Sequence, residues 1–310
     1  MNFIDLFAGI GGFRLSLESL GAKCVFSSEI DISARETYFK NFGEYPEGDI
    51  TKISSKSIPS HDILCAGFPC QPFSIGGYRK GFSDTRGTLF FDIERIIKAK
   101  KPKVIFLENV RGLTNHDKGR TFKIIKSKLN LLGYNIFYKV LNSKDYGVPQ
   151  NRERVYIIGY RNKKKIFDFD LIKKSKSSLL SLLDQSNKLN QSELSDIALK
   201  HVTKHLKKIK KTKKINYQYP QVITEIRPTR CSFRNDNISP CLTAKMGTGG
   251  NNVPYLIDYN RFMSVNECLR IQGYPKNFKI YGSKQNKYKQ IGNSVSIPLI
   301  KKISKLILSE

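Results

Sequence analysis

The chain has 310 residues, 39% of them hydrophobic and 26% charged, which is typical of a globular protein and excludes an extended disordered chain. No apolar run is long enough to cross a bilayer, and the N-terminal residues MNFIDLF lack the basic start of a signal peptide, so we expect a cytoplasmic protein without membrane contact. The formal net charge of +28 predicts binding to a polyanion such as nucleic acid, with lysine used only for solubility as the competing interpretation.

Residues 1 to 160 alternate between strand-like and helix-like segments. The segments that predict strands are NFIDLF, KCVFSSEID, HDILCAGF, PKVIFLENV and RVYIIGY. Their alternation with helical stretches predicts an α/β fold with a parallel sheet covered on both faces. In such a sheet, ligands bind beyond the carboxyl ends of the strands.

The composition changes after residue 160. Residues 161 to 214 are rich in Lys, Ser, Asn and Leu and include the acid-free run KHLKKIKKTKK, which predicts either a solvated helix face or a surface that contacts phosphate groups. Residues 227 to 255 are rich in Gly and Asn and predict an ordered loop, and the final segment SVSIPLIKKISKLILSE predicts an amphipathic helix.

A glycine loop and two acids predict a nucleoside site. Gly9, Gly11 and Gly12 follow the first strand, where a tight loop lets a ligand approach the backbone. Glu29 ends the second strand, where an acid can accept both ribose hydroxyls, and Asp49 can accept from an adenine amino group. Two acids suit a ligand with a neutral adenosine half and a cationic end, which favours S-adenosylmethionine over NAD; the competing interpretation is a pair of ordinary loop acids.

The six cysteines form no CxxC pair and no Cys/His cluster, so we expect no metal site. Cys65 stands within an apolar strand and is predicted to be a small buried hydrophobic residue. Cys70 follows Pro69 beyond the end of that strand, at the edge of the sheet where ligands bind. This position makes the Cys70 thiol a candidate nucleophile.

Glu108 ends another predicted strand and is expected at the same edge, where a desolvated carboxyl group can keep its proton. A thiolate beside such a group suits addition to an electron-poor double bond, as in cytosine. Arg152 and Arg154 precede the next strand and can clamp a carbonyl oxygen, a phosphate group or the loop of the nucleophile. The competing interpretation is an ordinary surface salt-bridge pair.

These segments resemble the DNA cytosine-5 methyltransferases, in particular the short bacterial modification enzymes of the HhaI type. Seven segments stand in that family's order: IDLFAGIGGFRLSLES, GDI, GFPCQPFS, DTRGTLFFDI, KPKVIFLENV, YGVPQNRERVYIIG and YKQIGNSVSIP. The resemblance covers nearly all of residues 1 to 160 and again about 260 to 300.

The resemblance implies a Rossmann-like, S-adenosylmethionine-dependent methyltransferase fold. A catalytic and cofactor-binding domain would comprise residues 1–160 and 259–310, with a target-recognition domain at 161–258 inserted before the C-terminal helix. The implied activity is C5 methylation of a cytosine flipped out of double-stranded DNA. We expect a monomeric modification enzyme of a restriction system, whose cognate endonuclease forms no stable complex with it.

The resemblance also assigns residue roles. Cys70 would add to C6 of the base, Glu108 would hold or protonate N3, and Arg154 would contact the O2 side with Arg152 supporting it. The residues implied to line the S-adenosylmethionine pocket are Phe7, Gly9, Ile10, Gly12, Glu29, Ile30, Asp49, Ile50, Pro69, Leu89 and Asn293.

Three positions depart from the family pattern. Cys241 stands where many members have threonine, Ile30 where some have an aromatic residue, and Gly76 where the HhaI type has serine.

Two alternatives to a DNA methyltransferase stay open: a tRNA cytosine-5 methyltransferase of the same fold, and a DNA-binding regulator without catalysis. A small-molecule methyltransferase would leave the charge of +28 without a purpose. The candidates for reading bases are Arg227, Arg230 and Arg234.

Overall fold

The computed structural model describes residues 1–69, 89–212, 215–248 and 252–309. The chain forms two compact units. The first unit comprises Met1–Leu141, Glu153–Lys173 and Ile300–Glu310, and the second comprises Asn142–Arg152 and Lys174–Leu299. Within the described residues, no helix has the length and apolar character that a membrane span requires.

The first unit is built on a six-stranded sheet. Its strands, in chain order, are β1 (Asn2–Leu6), β2 (Lys23–Ser28), β3 (Ile63–Gly67), β4 (Val104–Val110), β5 (Asn135–Asn142) and β6 (Glu153–Tyr160). The spatial order is β2-β1-β3-β4-β6-β5, and β1 pairs in parallel with both β2 and β3, while β3 pairs in parallel with β4. The carboxyl ends of these four strands therefore meet at one edge of the sheet.

Helices alternate with the strands of the first unit, as the sequence predicts. They are α1 (Gly12–Glu18), α2 (Ile32–Phe42), α3 (Phe90–Lys100) and α4 (Arg120–Leu131). The inner strands are almost continuously apolar, and residues of β1, β3, β4 and β6 form one hydrophobic core with apolar residues of α3 and α4. Burial on both faces explains why these strands show no alternation of polar and apolar residues.

One strand runs against the predicted direction. The sequence predicts a parallel sheet, but β6 pairs antiparallel with β4. The connection from β5 to β6, residues 143–152, contains only a short 3₁₀ turn, Ser143–Asp145, and no α-helix. Because a parallel crossover needs a longer connection that usually carries a helix, this loop favours the reversal of β6.

The second unit contains a four-stranded sheet in the order β10-β9-β7-β8. Its elements are β7 (Val222–Thr224), β8 (Ser232–Arg234), β9 (Tyr255–Leu256) and β10 (Arg261–Phe262), with α5 (Asp196–Thr212), α6 (Val265–Gln272) and α7 (Lys284–Asn293). Residues 227 to 255, predicted as loop, include β8 and a 3₁₀ helix, Ala244–Thr248.

The last helix, α8 (Ile297–Leu308), confirms the predicted amphipathic C-terminal helix. The division into catalytic and target-recognition domains at 161 and 258 stays a prediction.

Candidate active site

The glycine loop after β1 turns sharply beneath an open space. Phe7 and Gly9 both have positive φ, 57° and 54°. A Cβ at Gly9 would meet no atom of the described residues within 4 Å, so they leave the backbone there open to a ligand. A Cβ at Gly11, in contrast, would lie 2.3 Å from Cε2 of Phe42 in α2. Gly11 is therefore required for packing, and Gly9 leaves room for a ligand.

Glu29, at the carboxyl end of β2, is fixed to this loop. Its Oε2 accepts a hydrogen bond from the N–H of Gly9 and its Oε1 accepts one from the N–H of Asp31, both at 2.8 Å. Burial raises the pKa of the Glu29 carboxyl group, against the opposing effect of the hydrogen bonds from Asp31 and Gly9. Each oxygen keeps a second lone pair, so Glu29 can accept two further hydrogen bonds from a diol. The neighbouring Ile30 is 68% exposed, an apolar surface beside the acid.

Asp49 has a local structural partner. Its Oδ1 accepts hydrogen bonds from the backbone N–H and the hydroxyl of Thr51, at 3.0 and 2.8 Å, where it caps the 3₁₀ helix Ile50–Lys52. These bonds lower the pKa of Asp49. Within the described residues no donor reaches Oδ2, so this oxygen can accept from a ligand's amino group.

The other residues predicted to line the pocket divide into three groups. Ile10, Gly12 and Ile50 are buried. Pro69 is exposed and Leu89 half-buried, and they border residues 70–88, which lie outside the described residues. Asn293 is the exposed last residue of α7.

The two cysteines singled out by the sequence have different outcomes. Cys65 is fully buried in β3, and burial raises its pKa, which confirms the prediction of an inert hydrophobic residue. Cys70 lies outside the described residues, as does Gly76, so the predicted nucleophile stays a prediction.

Glu108 and Arg154 form an ion pair at the carboxyl end of β4. The Nε of Arg154 lies 3.2 Å from Oε1 of Glu108, and the two side chains are 12% and 9% exposed. Oε1 is buried and accepts no hydrogen bond of good geometry among the described residues. Arg154 also donates to the carbonyl oxygen of Glu153 at 2.8 Å, which fixes its orientation. The arrangement presents a carboxyl group and a guanidinium group together.

Asn109, to which the sequence motifs assign no role, connects β4 to the segment before Cys70. Its Nδ2 donates to the carbonyl oxygen of Phe68 at 2.8 Å, and its Oδ1 accepts from the N–H of Val110 at the same distance. Asn109 is 2% exposed, so the bond to Phe68 is protected from water. The signal was present in FLENV, but only the register of β3 and β4 shows its partner.

Arg152 has a different environment from Arg154. It is 3% exposed and donates to the carbonyl oxygens of Leu242, Gly292 and Ser294, at 2.9, 3.4 and 2.5 Å. It therefore holds the backbone on both sides of Asn293. A Cβ at Gly292 would lie 2.1 Å from the carbonyl carbon of Thr243, so this packing needs a glycine.

Asp5 is a second residue whose site the sequence did not reveal. It lies in the middle of β1, fully buried, and neither carboxyl oxygen accepts a hydrogen bond of good geometry among the described residues. Burial, and next the nearby charge of Glu29, raise the pKa of Asp5 well above its ordinary value. A single acid inside an apolar strand gives no pattern from which a role could be inferred.

The three candidate base-reading arginines each have a partner within the second unit. Arg227 donates to Oδ1 of Asn252 at 3.1 Å, Arg230 pairs with Glu225 at 3.4 Å, and Arg234 pairs with Asp236. Their role in reading bases stays a prediction.

Comparisons with known proteins support one family. Residues 1–309 match the family described as C-5 cytosine-specific DNA methylase. The chain is 45% identical to the Type II methyltransferase M.HhaI of Haemophilus parahaemolyticus over 98% of its length and 93% of that protein. It is also 45% identical to the Type II methyltransferase M.HaeII of Haemophilus aegyptius, over 97% of the chain and 91% of that protein.

Solved structures show the same fold at lower identity. The Entamoeba histolytica methyltransferase EhMeth superposes with a TM-score of 0.69 at 24% identity, covering 100% of this chain and 99% of that one. The S. pombe Dnmt2 methyltransferase superposes with a TM-score of 0.72 at 20% identity, covering 99% and 97%. The chain belongs to the C-5 cytosine-specific DNA methylases and is a DNA (cytosine-5)-methyltransferase of the restriction–modification type.

Proposed function

We propose that the chain methylates C5 of a cytosine flipped out of double-stranded DNA, using S-adenosylmethionine and a transient covalent bond between Cys70 and C6. The proposal includes a cytoplasmic, monomeric modification enzyme with a cognate restriction endonuclease that forms no stable complex with it. The division into a catalytic domain, 1–160 with 259–310, and a target-recognition domain, 161–258, is part of the same proposal.

The observation that carries the proposal is the arrangement of the adjacent ends of β3 and β4. Gly67, the last residue of β3, is in register with Glu108 of β4. Asn109 holds the carbonyl group of Phe68, and Cys70 stands two residues after Phe68 in the sequence. A rigid strand pair thus supports both the Glu108–Arg154 pair and the segment that leads into the proposed nucleophile.

The residues around the glycine loop fit an adenosine-containing cofactor. The open space above Gly9 admits a ligand against the backbone, and both Glu29 oxygens keep acceptor capacity for the two ribose hydroxyls. The exposed side chain of Ile30 can cover one face of the adenine, and Oδ2 of Asp49 can accept from its amino group. When bound, S-adenosylmethionine supplies an electrophilic methyl group. The remaining pocket residues, including Asn293, are proposed from the resemblance.

The proposed reaction forms a bond between the sulfur of Cys70 and C6 of the pyrimidine ring and later breaks it. The Cys70 thiolate forms a bond to C6, and the electron pair of the C5=C6 double bond becomes available at C5. C5 would then take the methyl group as the bond between the methyl carbon and the sulfonium sulfur breaks, with the electron pair of that bond staying on sulfur. A base would then remove the C5 proton. The electron pair of the C5–H bond restores the C5=C6 double bond as the C6–S bond breaks, which returns the Cys70 thiolate.

Glu108 and Arg154 make the ring electrophilic enough for this addition. Glu108 holds or protonates N3, whose gain of positive charge draws electrons away from C6, and it takes the proton back when Cys70 leaves. Arg154 contacts the O2 side of the base, where it stabilises negative charge. Arg152, with its bonds to Leu242, Gly292 and Ser294, acts as a positioning residue rather than on the base.

The target must leave the duplex, because C5 and C6 are stacked between neighbouring bases inside it. Extrusion costs about a few kcal/mol, which contacts to the phosphate backbone help to offset. The net charge of +28 supports this part of the proposal.

Methyl transfer tests the proposal directly. The purified protein is incubated with S-adenosylmethionine carrying tritium in the methyl group and with duplex DNA or tRNA, and the nucleosides are separated after digestion. We expect tritium in 5-methyldeoxycytidine only, and none with the Cys70→Ser variant, which should still bind S-adenosylmethionine. Label in tRNA, in an N-methylated base, or at wild-type rate in Cys70→Ser would refute the proposal. Bisulfite sequencing of host DNA with and without the gene then gives the recognition sequence.

A further inference from the structure

Helix α5 of the second unit has one buried and one exposed face. Ala198 and Val202 are 2% and 3% exposed and belong to a hydrophobic cluster with Leu194, Ile223, Ile226 and Tyr255. Apolar residues one and two turns apart on one side of the helix explain this packing. The helix therefore lies on the second unit with a fixed rotation about its axis, which decides the side chains that face solvent.

Four lysines form a stripe on the opposite side of α5, which we call the lysine face: Lys200, Lys204, Lys207 and Lys211. All four are exposed. At about 100° per residue they fall within a sector of about 60°, centred opposite the buried face. The rise from the first to the last is about 16 Å. The spacing of i, i+4, i+7 and i+11 thus places the four lysines in one continuous stripe along α5.

The lysine face has no acidic partner within the described residues. None of its four lysines forms an ion pair, and the only acid in α5 is Asp196 in its first turn. Opposite charges at i and i+4 stabilise a solvated helix. Like charges at this spacing instead destabilise a helix. The repulsion would be relieved by a bound polyanion.

We propose that the lysine face of α5 binds the phosphate backbone of the DNA substrate and anchors it without reading its sequence. The inference rests on the proposed function, because it assumes that the polyanion is duplex DNA. A length of about 16 Å matches about five base pairs of duplex, which carry about ten phosphate charges. Lysine contacts to phosphates position a duplex and carry no sequence information. The face therefore contributes affinity equally to target and non-target sequences.

DNA is favoured over other polyanions because the chain is a DNA methyltransferase. An RNA duplex and an acidic protein surface are the rival occupants, and the test separates them from DNA.

The salt dependence of DNA binding measures the phosphate contacts directly. Binding of fluorescent duplexes, with and without a methylation site, is followed by anisotropy over a range of salt concentrations, without S-adenosylmethionine. In the variant with Lys200, Lys204, Lys207 and Lys211 all changed to Gln, the slope of log K against log salt should fall by about 3 to 4. The loss of affinity should grow as the salt concentration falls, and it should be equal on both duplexes. The corresponding Lys→Arg variant should keep the wild-type slope, because it keeps the charge.

A matched control removes four exposed lysines from helices of the first unit: Lys98, Lys123, Lys301 and Lys305 changed to Gln. This control should keep the wild-type slope although its net charge falls equally. An equal loss in the control, an unchanged slope in the α5 variant, or a loss confined to the target duplex would overturn the inference. Tighter wild-type binding to an RNA duplex of equal length would do the same.

Two half-variants guard against an unfolded protein. Lys200→Gln with Lys204→Gln, and Lys207→Gln with Lys211→Gln, should each lower the slope by about 2, and an unchanged slope in both contradicts the inference. Glutamine is a good helix former, so α5 should persist in each. Because the measurement needs no methyl transfer, its failure is distinct from that of the proposed function, which the tritium assay on the wild-type protein tests.

Discussion

Arg154 lies beside Glu108 because β6 runs antiparallel to β4. In this register, Glu108 is opposite Tyr156 and Val110 is opposite Arg154, so the start of β6 meets the end of β4. Arg154 and Tyr156 are two residues apart in β6, so their side chains lie on the same face of the sheet. Glu108 pairs with Tyr156 and has its side chain on that face too, which puts the carboxyl and guanidinium groups on the same side of the sheet. A parallel β6 would have carried Arg154 to the other edge, away from Glu108. The reversal that the sequence did not predict is thus what assembles the pair.

The Glu108–Arg154 pair should show strong energetic coupling. Arg154→Ala leaves the buried Glu108 carboxyl group without its ion partner, and we expect the free energy of unfolding to fall by about 3 kcal/mol. Adding Glu108→Gln removes the uncompensated charge and should restore part of the loss, but methyl transfer should stay abolished. Urea denaturation of the four proteins of the cycle gives the coupling energy, and strictly additive losses would show that the pair is not formed.

Asn109 should position the segment that leads into Cys70. Asn109→Ala removes the hydrogen bond to the carbonyl group of Phe68. Because a misplacement of about 1 Å can cost about 100-fold, we expect kcat to fall about 10- to 100-fold with little change in the Kd of S-adenosylmethionine. Asn135→Ala is the control, since it removes a bond of the same type, to the carbonyl oxygen of Lys165, without touching the site. A wild-type kcat in Asn109→Ala would show that Asn109 does not position the segment that leads into Cys70.

Cofactor affinity should depend on the ionisation of Glu29. Its pKa is raised in the folded chain, so in the ligand-free protein its contribution to stability is greatest at low pH and is lost as pH rises through the raised pKa. The ionised carboxylate is the better acceptor for two hydroxyls, so the affinity for S-adenosylmethionine should rise over the same pH range, above 4.5.

Calorimetry across pH measures this affinity. Glu29→Gln should weaken binding about 10- to 100-fold and remove the pH dependence, because an amide cannot accept at both positions. The control is Glu36, whose carboxyl group accepts from the hydroxyl of Tyr45: the Glu36→Gln variant should behave like the wild type. An unchanged pH profile in Glu29→Gln would contradict the assignment.

Arg152 should hold the backbone around Asn293 in place. Arg152→Met keeps the length of the side chain but leaves the carbonyl groups of Leu242, Gly292 and Ser294 without its hydrogen bonds. We expect the free energy of unfolding to fall by about 3 kcal/mol or more, since each buried unsatisfied group costs about 1–3 kcal/mol. Faster amide exchange at residues 292–294 should accompany the loss. Equal stability and exchange in the variant would show that these bonds do not hold the segment.

Most of the first sheet could be predicted because its inner strands are buried apolar runs bounded by glycine, proline and polar residues. The edge strand β5 has no such run, because its exposed Tyr138 and half-buried Lys139 interrupt the apolar pattern. The direction of β6 could not be predicted either, because periodicity gives the faces of a strand and not its orientation.

The sequence could predict only those residues of the candidate site whose positions follow from the local sequence. The positions of Gly9 and Glu29 at the ends of neighbouring strands could be predicted, because each lies just after a strand of a parallel pair. The hydrogen bond between them is seen only in the structure. The partners of Asn109 and Arg152 depend on strand register and on residues far along the chain, so no local pattern could show them. The lysine run predicts either a solvated helix face or a surface that contacts phosphate groups, and the structure places its residues 204–212 in helix α5.

A covalent complex tests the nucleophile most directly. A duplex with 5-fluorocytosine at the target cytosine blocks the last step, since fluorine cannot leave C5 as a proton does. Incubated with S-adenosylmethionine and this duplex, the wild-type protein should form an adduct that survives denaturation, with the DNA attached through Cys70 on peptide mapping. The Cys70→Ser variant should form none. A protein that methylates ordinary DNA yet gives no adduct, or an adduct at any residue other than Cys70, would contradict the account.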